Sequence, residues 1–209
     1  RYSVDGKWHV PHFEKMLYDN GQLIGLYSEA YQQKPNSLYK NVVVETIEWA
    51  KREMLADNGG FYSALDADSE GVEGKFYTFD YSEFDILGKD ADLAREYYNI
   101  TKNGNWSEEQ INIPFVDSSN NKLIQDAGFS EEDWYSYIKE IKAKLLAYRS
   151  HRIRPGLDHK QLTTWNALLL KGLVDAYRVF DDSAHLDLAL GIAHFIEREC
   201  MSNDILLHQ

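Results

Sequence analysis

Apolar residues recur every three or four positions over several stretches, the clearest being Val10–Tyr31, VPHFEKMLYDNGQLIGLYSEAY. Phe13, Met16, Leu17, Ile24, Tyr27 and Tyr31 fall on one helix face, with Asn20 among them. Pro11 suits a first helical turn, where its fixed φ fits and its missing N–H is not needed. His12, Lys15, Asp19 and Gln22 step at the same spacing and form a second, polar stripe. A surface helix usually shows water a mixed charged face. This narrow line beside an aromatic-rich face predicts an inner helix whose polar stripe looks into a cleft.

Lys34-Pro35-Asn36 breaks the pattern, and Ser37 caps a second helix to about Leu55, with Val42, Val43, Ile47, Ala50 and Met54 on its apolar face. The two make a helical hairpin over about 11–55. Asn58-Gly59-Gly60 ends it. FYSAL (61–65) and KFYTF (75–79) are aromatic and short, and they flank the acidic DADSEGVEG. A β-hairpin inserted at about 60–80 is expected there. An irregular segment and a helix follow over about 81–150. It has short turns at 81–86 and 91–98, a turn-rich stretch from Gly104 to Lys122, and a capping pair, Ser130 and Asp133, opening a helix to Tyr148. Trp134, Ile138, Ile141 and Leu145 are that helix's apolar stripe. Leu162–Phe180 is apolar nearly all round, which predicts a helix buried on both sides. Asp181-Asp182-Ser183 caps a further helix to Glu199, giving a second hairpin over about 162–200, and SNDILLHQ begins a turn or strand.

The two hairpins are a repeat. Shifting 20–55 forward by 146 sets Asn20 on Asn166, Ala30-Tyr31 on Ala176-Tyr177, Trp49 on Phe195 and Arg52-Glu53 on Arg198-Glu199, without a gap. Identities are few; the shared helix–break–helix layout carries the match. An inner helix followed by an outer one, repeated, is the unit of an α/α toroid, in which each hairpin buries its neighbour's apolar face.

The chain has 209 residues and 44% apolar content, enough for a sizeable core. Its 14 Tyr and 5 Trp suit a large core or a cleft that stacks flat ligands such as sugar rings. A net charge of −12 argues against nucleic acid and anionic membrane as partners. Cys200 is the only cysteine, so no thiolate metal cluster and no internal disulfide can form, and a reduced, cytoplasmic setting fits. No run approaches the roughly 18 apolar residues of a membrane span.

Three blocks, RYSVDGKWHVPHFEKMLYDN, GGFYSALDADSEGVEGKFYTF and RPGLDHKQLTTWNALLLKGL, resemble the thioredoxin-domain-containing family related to spermatogenesis-associated protein 20. The resemblance implies an all-α dominated fold, part of an (α/α)6 six-hairpin glycosidase-type toroid with a small inserted β-hairpin. It also implies a thioredoxin-like domain upstream and further hairpins downstream. A partial toroid leaves hairpin faces uncovered, so self-association of the chain is expected. Fold relatives include glycoside hydrolases and sugar 2-epimerases. The loop at Gly104 departs from the family's pattern, reading GNWSEEQINI.

Glycoside cleavage wants two carboxylates roughly 5–10 Å apart across the scissile bond. Asp19, Asp66 and Asp68 are the candidates, the last two sharing one side of an extended segment. DADSEG also has the start of a calcium loop, but the twelfth position is Tyr77 rather than Glu, which argues against an EF-hand. His12 is the best general acid or base by residue type, and epimerisation beside a carbonyl needs such a group. Lys15, Tyr18 and Asn20, with Trp165, Asn166, Asp158 and Lys160 on and before the equivalent helix, are the candidate substrate-binding residues, Trp165 as a stacking platform. Arg149, Arg152 and Arg154 are placed to hold an anionic group or to complement a helix C-terminus. No cofactor and no metal are expected. Two readings stay open: a hydrolase or epimerase acting on a carbohydrate or sugar-derived molecule, and a non-catalytic domain that binds a ligand or protein beside a thioredoxin-like domain.

Overall fold

A computed structural model describes residues 2–117, 120–202 and 205–207. Arg1 of the lead-in and parts of the SNDILLHQ stretch lie outside the described residues. In chain order the elements begin with β1 (Lys15–Met16), α1 (Leu17–Gln33) and α2 (Ser37–Glu53). Three short strands follow, β2 (Ala64–Leu65), β3 (Asp68–Ser69) and β4 (Val72–Glu73). After a 3-10 stretch at Tyr81–Asp90 come α3 (Ala91–Tyr97), α4 (Asn120–Asp126), α5 (Glu131–Arg149) and β5 (Leu157–Asp158). The chain closes with α6 (Thr163–Phe180), α7 (Ser183–Glu199), β6 (Met201–Ser202) and β7 (Ile205–Leu206). Among the described residues no helix is long and apolar enough to cross a membrane.

The chain divides into two compact units, Glu14–Asp66 with Gly156–Gln209, and Arg1–Phe13 with Ala67–Pro155. The first is built on the repeat. Both hairpins keep the 146-residue offset: α1 starts at Leu17 and α6 at Thr163, and α2 and α7 start at Ser37 and Ser183. Caps match as well. The Asn36 side chain accepts from Leu38 N and that of Asp182 from Ala184 N, so the cap is the residue before each serine. Arg52 pairs with Glu53 at 2.8 Å and Arg198 with Glu199 at 2.7 Å. Leu17, Ile24, Val43, Ile47, Leu169, Leu173 and Ile192 interlock in one core with Phe61 and Leu65. α6 packs on α1 and on α7, which explains its apolar sequence. Its contact with α1 is backbone to backbone. A Cβ on Gly21 would lie 2.7 Å from Leu169 N, and one on Gly172 would strike the Gly21 carbonyl oxygen.

In the second unit Phe79, Phe84, Leu87, Ala94, Ile141 and Leu145 form one core, and Val10, Phe13, Ala67 and Ile113 a smaller one. The expected stripe on α5 is buried at Trp134, Ile138, Ile141 and Leu145, and Ser130 accepts from Asp133 N. The loop at Gly104 is ordered by Asn112, whose buried amide accepts from Thr101 N and Asn105 N and donates to the Phe79 and Thr101 carbonyls. α4 lies at the end of a stretch that reads as wholly irregular in sequence.

Besides the cap of α2, which is Asn36 rather than Ser37, two expectations are corrected. The first helix begins at Leu17 rather than near residue 11. Pro11 bridges Ser3, His12 N donates to Tyr2 O, and Leu17 N donates to Ser63 O, so residues 10–16 are extended and held by distant backbone. The insertion at 60–80 is likewise not a hairpin of 61–65 with 75–79. Ala64–Leu65 is the middle strand of the sheet β1-β2-β5, and the hairpin is β3–β4, inside the acidic loop. Glu70 and Gly71 at its tip both have positive φ, 55° and 76°, which is the two-residue turn that suits the twist of paired strands. Residues 75–78 turn back on the Gly74 carbonyl, and Phe76 and Phe79 are buried, so their aromatic character serves a core.

Candidate functional site

In the helical-hairpin unit the sheet β1-β2-β5 sets the N-terminal ends of α1 and α6. β1 runs straight into α1, and β5 precedes α6 by a short loop. Lys15 lies opposite Leu65, and Ala64 opposite Asp158. Asp66 leaves the sheet with its N–H on Gly156 O at 2.8 Å and its side chain exposed. Tyr18 and Trp165, in the first turns of α1 and α6, meet edge to face at 4.7 Å, both half-buried. Tyr62 and His159 make a second such pair at 4.9 Å. Lys160 donates to Asp158 through Nζ at 2.8 Å and through its backbone N–H, which holds the Asp158 carboxyl below the usual carboxylate range. Asp19 is half-buried in the first turn of α1, where the helix dipole favours an anion. Lys15, Tyr18, Asp19, Asp66, Asp158, Lys160 and Trp165 thus all belong to the sheet, its flanking residues or the two helix starts of this unit.

The two asparagines named with them do structural work. Asn166 is fully buried, and its amide accepts from Phe61 N at 2.8 Å and donates to the Phe61 and Leu162 carbonyls. It pins the chain after α2 to α6, with its oxygen and both amide protons bonded to backbone. Asn20 donates to Met16 O at 2.7 Å, closing the first turn of α1.

In the other unit His12 follows the extended Pro11 rather than opening a helix, so neither it nor Lys15 belongs to a helical stripe with Asp19. Its ring stacks on Tyr2 at 4.8 Å and 10° between planes, and its Nδ1 meets Glu73 Oε1 at 3.2 Å. Glu73 is the cross-strand partner of Asp68. The hairpin that carries both is fixed by Ser69 Oγ donating to Ile153 O at 2.6 Å and by the Lys75–Glu70 pair at 2.8 Å. Burial alternates over 65–70, with Asp66, Asp68 and Glu70 exposed and Leu65, Ala67 and Ser69 buried, as an extended segment requires. His12 and Asp68 therefore share this unit, and Asp19 and Asp66 the other. Among the described residues no three His, Cys, Asp or Glu side chains gather to hold a metal.

Sequence reasoning missed Glu73, 61 residues from His12, because no local pattern links them; its only signal was its place in the acidic loop. The cations at and just after the end of α5 have partners within their own unit. Arg152 makes a two-pronged pair with Glu83 at 2.8 and 2.9 Å and donates to the carbonyls of Lys75, Phe76 and Thr78. Arg149 and Arg154 lie over the Phe76 ring. An open groove of about 600 Å³, lined by Leu26, Glu29, Gln33, Asp175 and Arg178, lies toward the C-terminal ends of α1 and α6 and includes none of the candidate catalytic or substrate-binding residues.

No family model matches the chain. It is homologous to spermatogenesis-associated protein 20 of Homo sapiens, at 32% identity over 95% of the chain and 28% of that protein. It is 32% identical to the Caenorhabditis elegans uncharacterized protein B0495.5 over 94% of the chain and 30% of that protein. The chain thus spans under a third of the length of these relatives. Among solved structures, a sugar epimerase from a ruminal bacterium superposes with a TM-score of 0.51 at 12% identity, over 99% of the chain and 32% of the epimerase. That likeness gives the fold class: helix-dominated with small antiparallel strand pairs, part of a toroid of paired helices.

Proposed function

We propose that the chain is part of a carbohydrate-active enzyme that moves a proton on a sugar-derived substrate, in the manner of a sugar epimerase, with His12 as the proton carrier. One observation carries this reading. The His12 imidazole is clamped, its face on Tyr2 and its Nδ1 on the Glu73 carboxylate. A carboxylate on one ring nitrogen orients the imidazole and selects its tautomer, the arrangement general acid–base catalysis uses. The fold likeness to a sugar epimerase supports the substrate class by analogy only.

His12 and Asp68 stand as the catalytic proposal in their unit, with His12 the best-supported member, and Asp19 and Asp66 are the proposed acids of the other. Lys15, Tyr18, Trp165, Asp158 and Lys160 are proposed to bind sugar hydroxyls and ring faces. Glycoside hydrolysis is less favoured. Glycoside cleavage needs two carboxylates, one with its pKa raised by burial, whereas Asp66 and Asp68 are exposed and Asp19 alone is half-buried. A thioredoxin-like domain in the parent protein is the proposed partner, and a cytoplasmic setting the proposed location.

The test is carbon-bound hydrogen exchange. The full-length protein is incubated in D2O with reducing sugars and sugar phosphates, and deuterium at the carbon beside the carbonyl is followed by NMR. His12→Ala is expected to slow incorporation by about 10²–10⁴-fold, the usual contribution of a positioned acid–base group. Equal rates in both proteins remove His12 from the mechanism. No incorporation with any sugar favours a non-catalytic binding domain.

A further inference from the structure

Trp8 is 82% exposed and sits at a φ of +58°. A tryptophan seldom adopts either condition, since its side chain is the largest apolar one and a left-handed backbone crowds any Cβ. Backbone held in such a region is over-determined by its surroundings and concentrates at ligand clamps. Here the over-determination is visible. Residues 2–12 form a narrow loop with Tyr2, Ser3 and Val4 paired against Val10, Pro11 and His12. The Asp5 carboxylate fills its interior, accepting from the N–H groups of Lys7, His9 and Val10 and from Ser3 Oγ. His9, next to Trp8, is fixed by Asn105 at 3.2 Å and by the edge of Phe115 at 4.8 Å. The indole at the tip is thus presented to water by a loop whose backbone is hydrogen-bonded on both sides of it, at Lys7 and at His9.

The exposed area says what covers it. Trp8 offers roughly 200 Å², and its exposed apolar neighbours on the loop are parts of Tyr2 and Val4. A specific protein interface buries about 800 Å² on each side, a little over half of it apolar, and Trp8 with parts of Tyr2 and Val4 supplies less than that share. One face of a single neutral ring matches it, and a protein with a net charge of −12 repels anions.

We propose that Trp8 is a stacking platform for one pyranose ring of a neutral saccharide, on the same loop whose base places His12. This rests on the carbohydrate reading above and adds a subsite to it. The experiment is saturation-transfer NMR of the full-length protein with methyl glucoside, methyl mannoside and their disaccharides, backed by titration. Wild type is expected to transfer saturation to ring C–H protons. Trp8→Ala and Trp8→Gly are expected to weaken binding at least tenfold, and Trp8→Phe to keep part of it. Glycine suits the positive φ, so loss of binding in Trp8→Gly is not a folding defect, and hydrogen exchange at His9 and Val10 verifies the loop. Binding unchanged in both variants overturns the platform and leaves the proton-transfer reading standing. No saccharide bound by wild type overturns the platform. Trp8-dependent binding without deuterium exchange upholds the platform and sinks only the proton-transfer reading.

Discussion

Asn20 and Asn166, 146 residues apart, sit at the same place in two helices: each donates from Nδ2 to the carbonyl four residues earlier, Met16 O at 2.7 Å and Leu162 O at 3.1 Å. The positions differ in what else they hold. Asn20 is half-buried, whereas Asn166 is fully buried and also takes both backbone groups of Phe61. Asn166→Ala leaves the buried Phe61 N–H without its acceptor, a cost of about 2–3 kcal/mol. Asn20→Ala gives up one bond on a wetter helix start, about 0.5–1 kcal/mol. Urea denaturation of the two variants should show this order, and equal losses would mean that the Phe61 pin carries no stability.

Gly172 lies where α6 meets the backbone of α1, with no space for a methyl group. Gly172→Ala therefore forces the helices apart, at a cost of about 1–3 kcal/mol or more. Gly191, within α7, has open space where a Cβ would stand. There alanine gains helix propensity, about 0.5–1 kcal/mol of stabilisation. Melting curves of the pair should move in opposite directions. A neutral Gly172→Ala would show that the crossing adjusts freely.

The repeat was legible because its signals are local: a heptad-like apolar face, an Asn or Asp before a serine, and a break of two or three residues. The start of α1 was not. Pro11, Phe13, Met16 and Leu17 satisfy helical spacing, but so short a window also fits an extended segment. What decides is pairing with Tyr2, Ser3 and Ser63, which no local pattern encodes. The strands failed for a related reason. Phe76 and Phe79 have strand-like character, yet burial claims them, and the true hairpin turns on Glu70-Gly71 within a run that reads as polar loop. At the candidate site the residue types His12 and Asp68 were legible and the clamp by Glu73 was not. Asn166 was picked out by the repeat, which signals equal structural duty as readily as equal function.

Arg152 gathers the turn at residues 75–78. Its guanidinium touches three carbonyls of that turn and both oxygens of Glu83, with about a fifth of each side chain exposed. Arg152→Ala leaves those carbonyls and Glu83 without the cation, a loss of about 2 kcal/mol. Arg152→Lys restores the charge without the fork and should recover less than half. Hydrogen exchange localises the effect: amides of Tyr77 and Thr78 should speed up, with those of α6 unchanged. Uniform acceleration across the chain would contradict a local role.

Asp5 makes the loop carrying Trp8 sensitive to acid. Its carboxyl is held down to about 2, first by the Ser3 hydroxyl and then by the Val10 N–H, against an ordinary value of 3.8. A carboxyl depressed on folding stabilises the folded loop above its unfolded value, and that contribution fades as pH falls toward the folded one. The loop should therefore keep its order at pH 5 and lose it between about pH 4 and pH 2. Asp5→Asn, which keeps shape but not charge, should show the loosened loop already at neutral pH and no further change over that acid range. The readout is hydrogen exchange at His9 and Val10, whose N–H groups bond the carboxylate at 2.9 and 3.0 Å. Identical exchange in wild type and Asp5→Asn at pH 5 would mean that the carboxylate does not hold the loop.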